Sequence, residues 1–186
     1  MINKVTHRII GIDPGYAITG YGIIEKTGSK IRVIEYGAIE TSSKSDFTLR
    51  LLAINDKVRF LIEQFKPDCM VIEQLFMGQN HTTAIGMAQA RGVVLVEAAR
   101  AGIDAYEFTP MQVKLAVTGY GKAEKKQVQM MTQRMLGLEE IPKPDDAADA
   151  LAIAICLANT GINNANKVVS GYQHGRYGYS KRNEFG

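Results

Sequence analysis

Apolar positions change period along this chain, and each change marks an element. RIIGID is a short continuous apolar run halted by Asp-Pro-Gly, which predicts a central buried strand stopped by a turn. TGYGIIEK and KIRVIEYGAIET alternate on either side of Gly-Ser and predict an antiparallel hairpin. From Ser45 the period becomes helical: Leu51, Ile54, Val58, Leu61, Ile62 and Phe65 recur until Lys66-Pro67 ends the pattern. CMVIE is short and apolar enough to be a strand buried on both faces. Because a helical crossover precedes it, it must run parallel to the strand it joins.

NHTTAIGMAQARGVVLVEAARAG predicts a second helix, with Asn80, Thr82 or Thr83 as its N-cap and Gly102 closing it. Its small residues Ala84, Gly86, Ala88, Ala90 and Gly92 permit close approach of another backbone. DAYEFT predicts a fifth strand, PMQVKLAV a short helix opened by proline, and KAEKKQVQMMTQRML a longer helix. PKPDDAADALAIAICLAN predicts a last helix whose first-turn aspartates complement the positive end of its dipole. The sum is an α/β domain over residues 1–161, with three antiparallel strands followed by two parallel ones and flanking helices. Residues 162–186, rich in Gly, Asn and Tyr, are expected to form a disordered tail.

Composition narrows the class only a little. At 186 residues and 46% hydrophobic content, one domain with a real core is expected. No apolar stretch approaches the about 20 residues of a membrane span, and a signal-peptide pattern is lacking, so a cytoplasmic protein is expected. Cys69 and Cys156 each lie in an apolar run, as buried reduced thiols do. The net charge of +3 comes entirely from Lys167, Arg176, Lys181 and Arg182 against Glu184, so bulk charge does not argue for nucleic acid.

Acidic residues at the edges of apolar runs change the picture. Asp13 ends the first strand, Glu73 ends the fourth, and aspartates open the last helix. A carboxylate beside a buried element costs several kcal/mol, on the order of 2–7 for an unpaired polar group, unless a cation or hydrogen bonds compensate. Three such placements suggest a shared cation site. Asp146 and Asp149 at i, i+3 would share a helix face, but so would Asp145 and Asp149 at i, i+4. Singly, each residue also fits a turn cap or a dipole charge.

GIDPGYAITGYGII, VIEQLFMGQN, AQARGV, QVKLAVTGYGKAEKKQVQ and DAADALAIA, taken in this order and spacing, resemble the motifs of the RuvC family of Holliday junction resolvases over roughly residues 8–160. The resemblance implies an RNase H-like fold and a dimeric, Mg²⁺-dependent endonuclease that makes paired nicks in four-way junction DNA. It fixes the acidic set as Asp13, Glu73, Asp146 and Asp149, with Asp13 bridging two ions and Asp145 left as a neighbour or helix charge. Mn²⁺ is expected to substitute, and branch-migration proteins are implied partners.

Such a carboxylate cluster suits the chemistry. Hydrolysis of an anionic phosphodiester needs cations that shield the phosphate, lower the pKa of a water and stabilise the leaving oxygen, and hard oxygen ligands suit Mg²⁺. The resemblance places Lys114 and Lys125 near the scissile phosphate and Phe76 against the junction; Lys122, Lys126 and Arg91 are further candidate DNA contacts. Against this stand an ordinary solvated lysine face and a core phenylalanine. The helix from Thr82 to Arg100 is the expected dimer interface, through Ile85, Ala88, Gly92, Val93 and Val96. Two other functions fit less well. GIDPGYAITG also resembles the phosphate loop of actin-like ATPases, but that fold needs a duplicated domain that 186 residues cannot hold. A silent branched-DNA-binding protein would have no need of all four acidic positions.

Overall fold

The computed structural model describes residues 5–75 and 81–168. Phe76 and the tail tyrosines Tyr172, Tyr177 and Tyr179 lie outside the described residues. Strands β1 (Thr6–Asp13), β2 (Ile18–Thr27) and β3 (Lys30–Glu40) are followed by helix α1 (Phe47–Phe65), β4 (Cys69–Glu73), α2 (His81–Arg100) and β5 (Asp104–Phe108). Helices α3 (Pro110–Thr118), α4 (Lys125–Leu136) and α5 (Asp145–Thr160) complete the order. The sheet runs β3-β2-β1-β4-β5, antiparallel across the first three strands and parallel from β1 to β4 to β5, as the periodicity predicts.

Element ends follow local chemistry. Gly28, at φ 62°, makes the two-residue hairpin between β2 and β3, and Lys66 in the left-handed region stops α1. Thr109 and Gln112 form a capping box that starts α3 at Pro110. Helix α4 begins three residues later than the helical run in the sequence, because Glu124 and Gln127 form its reciprocal cap.

The pleat sorts the core into two layers. Ile9, Cys69, Val71, Tyr106 and Phe108 face α3, α4 and α5, whereas Ile10, Ile12, Ile23, Met70 and Ile72 face α1 and α2. Both cysteines are buried and unpaired, and burial pushes each thiol up to about 12. On the second layer, buried Glu97 of α2 accepts from Asn55 at 2.7 Å and pairs with Arg59 at 3.1 Å, which docks α2 on α1.

Pairing continues beyond residue 161, where the sequence suggested that order ends. After a 3₁₀ turn at Ile162–Asn164, the Glu107 amide donates to the Asn166 carbonyl and the Val168 amide donates to the Ala105 carbonyl. Lys167 pairs with Asp104 at 2.7 Å. This short antiparallel strip covers the exposed edge of β5. No helix among the described residues is long and apolar enough to cross a membrane.

Candidate active site

Parallel pairing of β1 with β4 brings their C-terminal ends to the same edge, and the pleat turns Asp13 and Glu73 to the same face as Ile9, Cys69 and Val71. That face carries α5. What lets α5 lie close enough is glycine. A Cβ on Gly20, the partner of Asp13 across the β1–β2 ladder, would stand 2.0 Å from the Asp146 carbonyl oxygen. A Cβ on Gly11 would meet the Ala150 carbonyl at 2.3 Å, and one on Gly22 would press on Leu151 at 2.8 Å. Backbone rests on backbone, and the first turn of α5 arrives beside Asp13. These glycines were not singled out from the sequence as site residues. The glycines at Gly20 and Gly22, two apart on one face of a strand, are the signal that marks such a close approach.

The loop between Asp13 and β2 is fixed from several sides. Thr19, fully buried, donates to the Gly15 carbonyl at 2.5 Å. The Tyr16 carbonyl accepts from Thr41 at 2.6 Å and from Arg50 at 3.1 Å, while the Arg50 guanidinium lies 4.9 Å from the centre of the Tyr16 ring. Gly86 of α2 packs against that ring, where a Cβ would approach to 2.8 Å.

Asp13, Glu73, Asp149, Lys114 and Lys125 line one cleft of about 250 Å³, walled by Pro110, Val113, Val128, Ala152 and Ile153. Asp146 stands at its margin, half-buried, and its charge is felt at Asp13. Burial first, and then the charges of Glu73, Asp149 and Asp146, push the Asp13 carboxyl up to about 7. Burial and Asp149 raise Glu73, with Lys114 opposing; burial raises Asp149 against the pull of Lys125. Anions that would rather be neutral call for a cation. The donor set, all carboxylate oxygen, fits a hard divalent ion.

As they stand, no three acidic, histidine or cysteine side chains among the described residues close into a ready ligand cage. Mg²⁺ does not require one, since it keeps several waters and is commonly held by one or two carboxylates together with substrate phosphate. Lys125 is ion-paired at the cleft, its Nζ 3.0 Å from Asp149 and 3.4 Å from Asp145.

The remaining candidates separate. Lys122 and Lys126 are exposed, on the loop before α4 and in its first turn, and neither lines the cleft. Arg91, expected to face DNA, is instead held inward by Glu107 on β5 at 2.6 Å, with the two side chains 16% and 13% exposed. Its Nε is buried without a partner. The basic side chain satisfies a half-buried carboxylate rather than presenting a charge to solvent.

Comparison with known proteins agrees with this geometry. The family model described as crossover junction endodeoxyribonuclease RuvC matches residues 9–157. A relative named crossover junction endodeoxyribonuclease RuvC from Brevibacillus brevis is 54% identical over 148 residues, covering 80% of this chain and 89% of the relative. The structure of Thermus thermophilus RuvC in complex with Holliday junction substrate is 34% identical, with a TM-score of 0.83, covering 87% of this chain and 99% of that one. The yeast mitochondrial Holliday junction resolvase Ydc2, at 14% identity and a TM-score of 0.60, shares the fold. With the match reaching the five strands and five α-helices of the described residues, and with identity to relatives above half, this chain belongs to the RuvC family of crossover junction endodeoxyribonucleases.

Proposed function

We propose that this protein resolves four-way DNA junctions by metal-dependent hydrolysis of phosphodiesters on opposed strands, one site per subunit of a homodimer. The observation that carries the reading is the cleft in which Asp13, Glu73 and Asp149 converge with Lys114 and Lys125. Asp13, Glu73, Asp146 and Asp149 would hold two Mg²⁺ ions, with Mn²⁺ as a substitute. The ions, when bound, supply charge shielding at the phosphate, acidification of the attacking water and stabilisation of the leaving 3′ oxygen.

The chain's own groups do the rest. Val113, Val128, Ala152 and Ile153 form an apolar wall beside the carboxylates, which lowers the local dielectric and strengthens the charge interactions next to it. Lys114, beside Glu73, and Lys125, beside Asp149, are placed to bind non-bridging phosphate oxygens as charge develops there. Lys122 and Lys126 add exposed positive charge for the flanking backbone. Phe76 remains a candidate base-stacking contact on its position in the family motif.

The homodimer is supported by α2. Ala90, Val94 and Ala98 face the core, yet Ile85 and Val96 stay 58% and 51% exposed, with Ala88 and Gly92 between them on the outer face. A Cβ on Gly92 would meet nothing within 4 Å, so a second backbone can come close. An isologous pair would place two clefts about a two-fold axis, matching a junction that needs two nicks. Branch-migration proteins as partners rest on family membership alone.

The test is a labelled synthetic four-way junction incubated with the protein in Mg²⁺ or in EDTA. Symmetric nicks on opposed strands that require the metal are expected. Tight junction binding with no cleavage in Mg²⁺ or Mn²⁺ would replace this reading with the silent binding protein.

A further inference from the structure

Lys125 is shared. Its Nζ lies 3.0 Å from Oδ2 of Asp149 and 3.4 Å from Oδ2 of Asp145, and the two aspartates are one turn apart on α5. Asp149 belongs to the cleft, with 30% of its side chain exposed; Asp145 lies outside it, at 63%. The ammonium therefore bridges an inner and an outer carboxylate at the rim.

A divalent ion held by the Asp149 carboxylate would stand close to the Lys125 ammonium, and the two positive charges repel at that distance. That repulsion would favour Nζ leaning away from Asp149. Lysine has a flexible stem, and Asp145 Oδ2 is already 3.4 Å from Nζ, so a small rotation of the stem lets the ammonium release Asp149 and rest on Asp145. Without Asp145, a displaced Lys125 would have only solvent, or would hold Asp149 more tightly.

We propose that Asp145 is a positioning residue for Lys125: it receives the ammonium when a divalent cation takes Asp149 and keeps it at the rim, ready for the incoming phosphate. This rests on the reading of Asp13, Glu73, Asp146 and Asp149 as the metal site. It gives Asp145 a role distinct from the ligands, and it makes Lys125 a competitor for the metal as well as a phosphate contact.

Four full-length proteins test it: wild type, Lys125→Met, Asp145→Asn and the double variant, each titrated with Mn²⁺ by electron paramagnetic resonance without DNA. Both side chains are more than half exposed, so folding is not at stake. Lys125→Met should tighten Mn²⁺ binding about 1.5- to fivefold, the range expected for removing a competing exposed ion pair. Asp145→Asn should weaken it about threefold in the wild-type background and by less than about 1.5-fold in the Lys125→Met background, because Asp145 acts through the lysine. Asp145→Glu should restore wild-type binding. In single-turnover cleavage at saturating Mn²⁺, Asp145→Asn should slow the chemical step with junction affinity unchanged.

Equal weakening by Asp145→Asn in both backgrounds would reduce Asp145 to a distant charge and overturn the proposal. So would unchanged or weaker Mn²⁺ binding in Lys125→Met. Absence of Mn²⁺ binding in all four, wild type included, would overturn the metal-site reading beneath it.

Discussion

The raised carboxyl of Asp13 makes the metal-free site a measurable burden on stability. Its pKa goes from the ordinary 3.8 to about 7, first by burial and then by the neighbouring carboxylates. For an acid raised in the folded state, full stability is present below the unfolded value and is lost as pH climbs towards the folded one. The window is therefore 3.8 to about 7. At 1.36 kcal/mol per unit, the folded state loses about 4 kcal/mol by pH 8, but only about 1.6 kcal/mol at pH 5. Asp13→Asn keeps the shape and is neutral at every pH, so in EDTA it should be more stable than wild type by those amounts. For a chain of this size the gap at pH 8 is about 10 °C in Tm, closing to within a few degrees near pH 4. Thermal melts followed by circular dichroism across this range check it. Saturating Mg²⁺ should raise the Tm of wild type and leave Asp13→Asn almost unmoved, while cleavage by the variant falls by orders of magnitude. An Asp13→Asn protein no more stable than wild type at pH 8 in EDTA would refute the account of a buried, mutually repelling cluster.

Gly20→Ala should lower cleavage by about a hundredfold with junction binding retained, because its Cβ meets the Asp146 carbonyl and lifts the first turn of α5; activity within a few-fold of wild type would show that the helix can yield. Arg91→Met should cost about 3 kcal/mol in urea unfolding by leaving Glu107 unpaired, and should spare junction affinity in the folded fraction. Unchanged stability together with weaker DNA binding would return Arg91 to the DNA surface. Val96→Arg should give a folded monomer by sedimentation, whereas Val93→Arg should destabilise the fold, since Val93 packs on the second core layer. A Val96→Arg protein that remains dimeric would move the interface off this face of α2.

Local patterning along the chain was enough to set the elements and their kinds. Period two in KIRVIEYGAIET, period 3.6 from Leu51 to Phe65 and the breaks at Lys66-Pro67 and Gly102 each reflect backbone chemistry that acts within a few residues. Parallel pairing of β4 also followed from connectivity alone. The acidic set was legible because carboxylates interrupting apolar runs are costly, but choosing Asp146 over Asp145 took the family motif rather than helical spacing.

Contacts between distant segments set the rest. That α5 can lie on β1 and β2 is a matter of Gly11 and Gly20 meeting the carbonyls of Ala150 and Asp146, far along the chain. Arg91 carried the same charge in the sequence as any DNA-binding arginine. Only the fold set Glu107 2.6 Å away and turned it inward. The strip from Ile162 to Val168 has too little apolar periodicity to read as structure, and it pairs because β5 offers an open edge. Lys125, placed between Asp149 and Asp145 at 3.0 and 3.4 Å, shows the same division: residue type is written locally, whereas which charge it answers is set by packing.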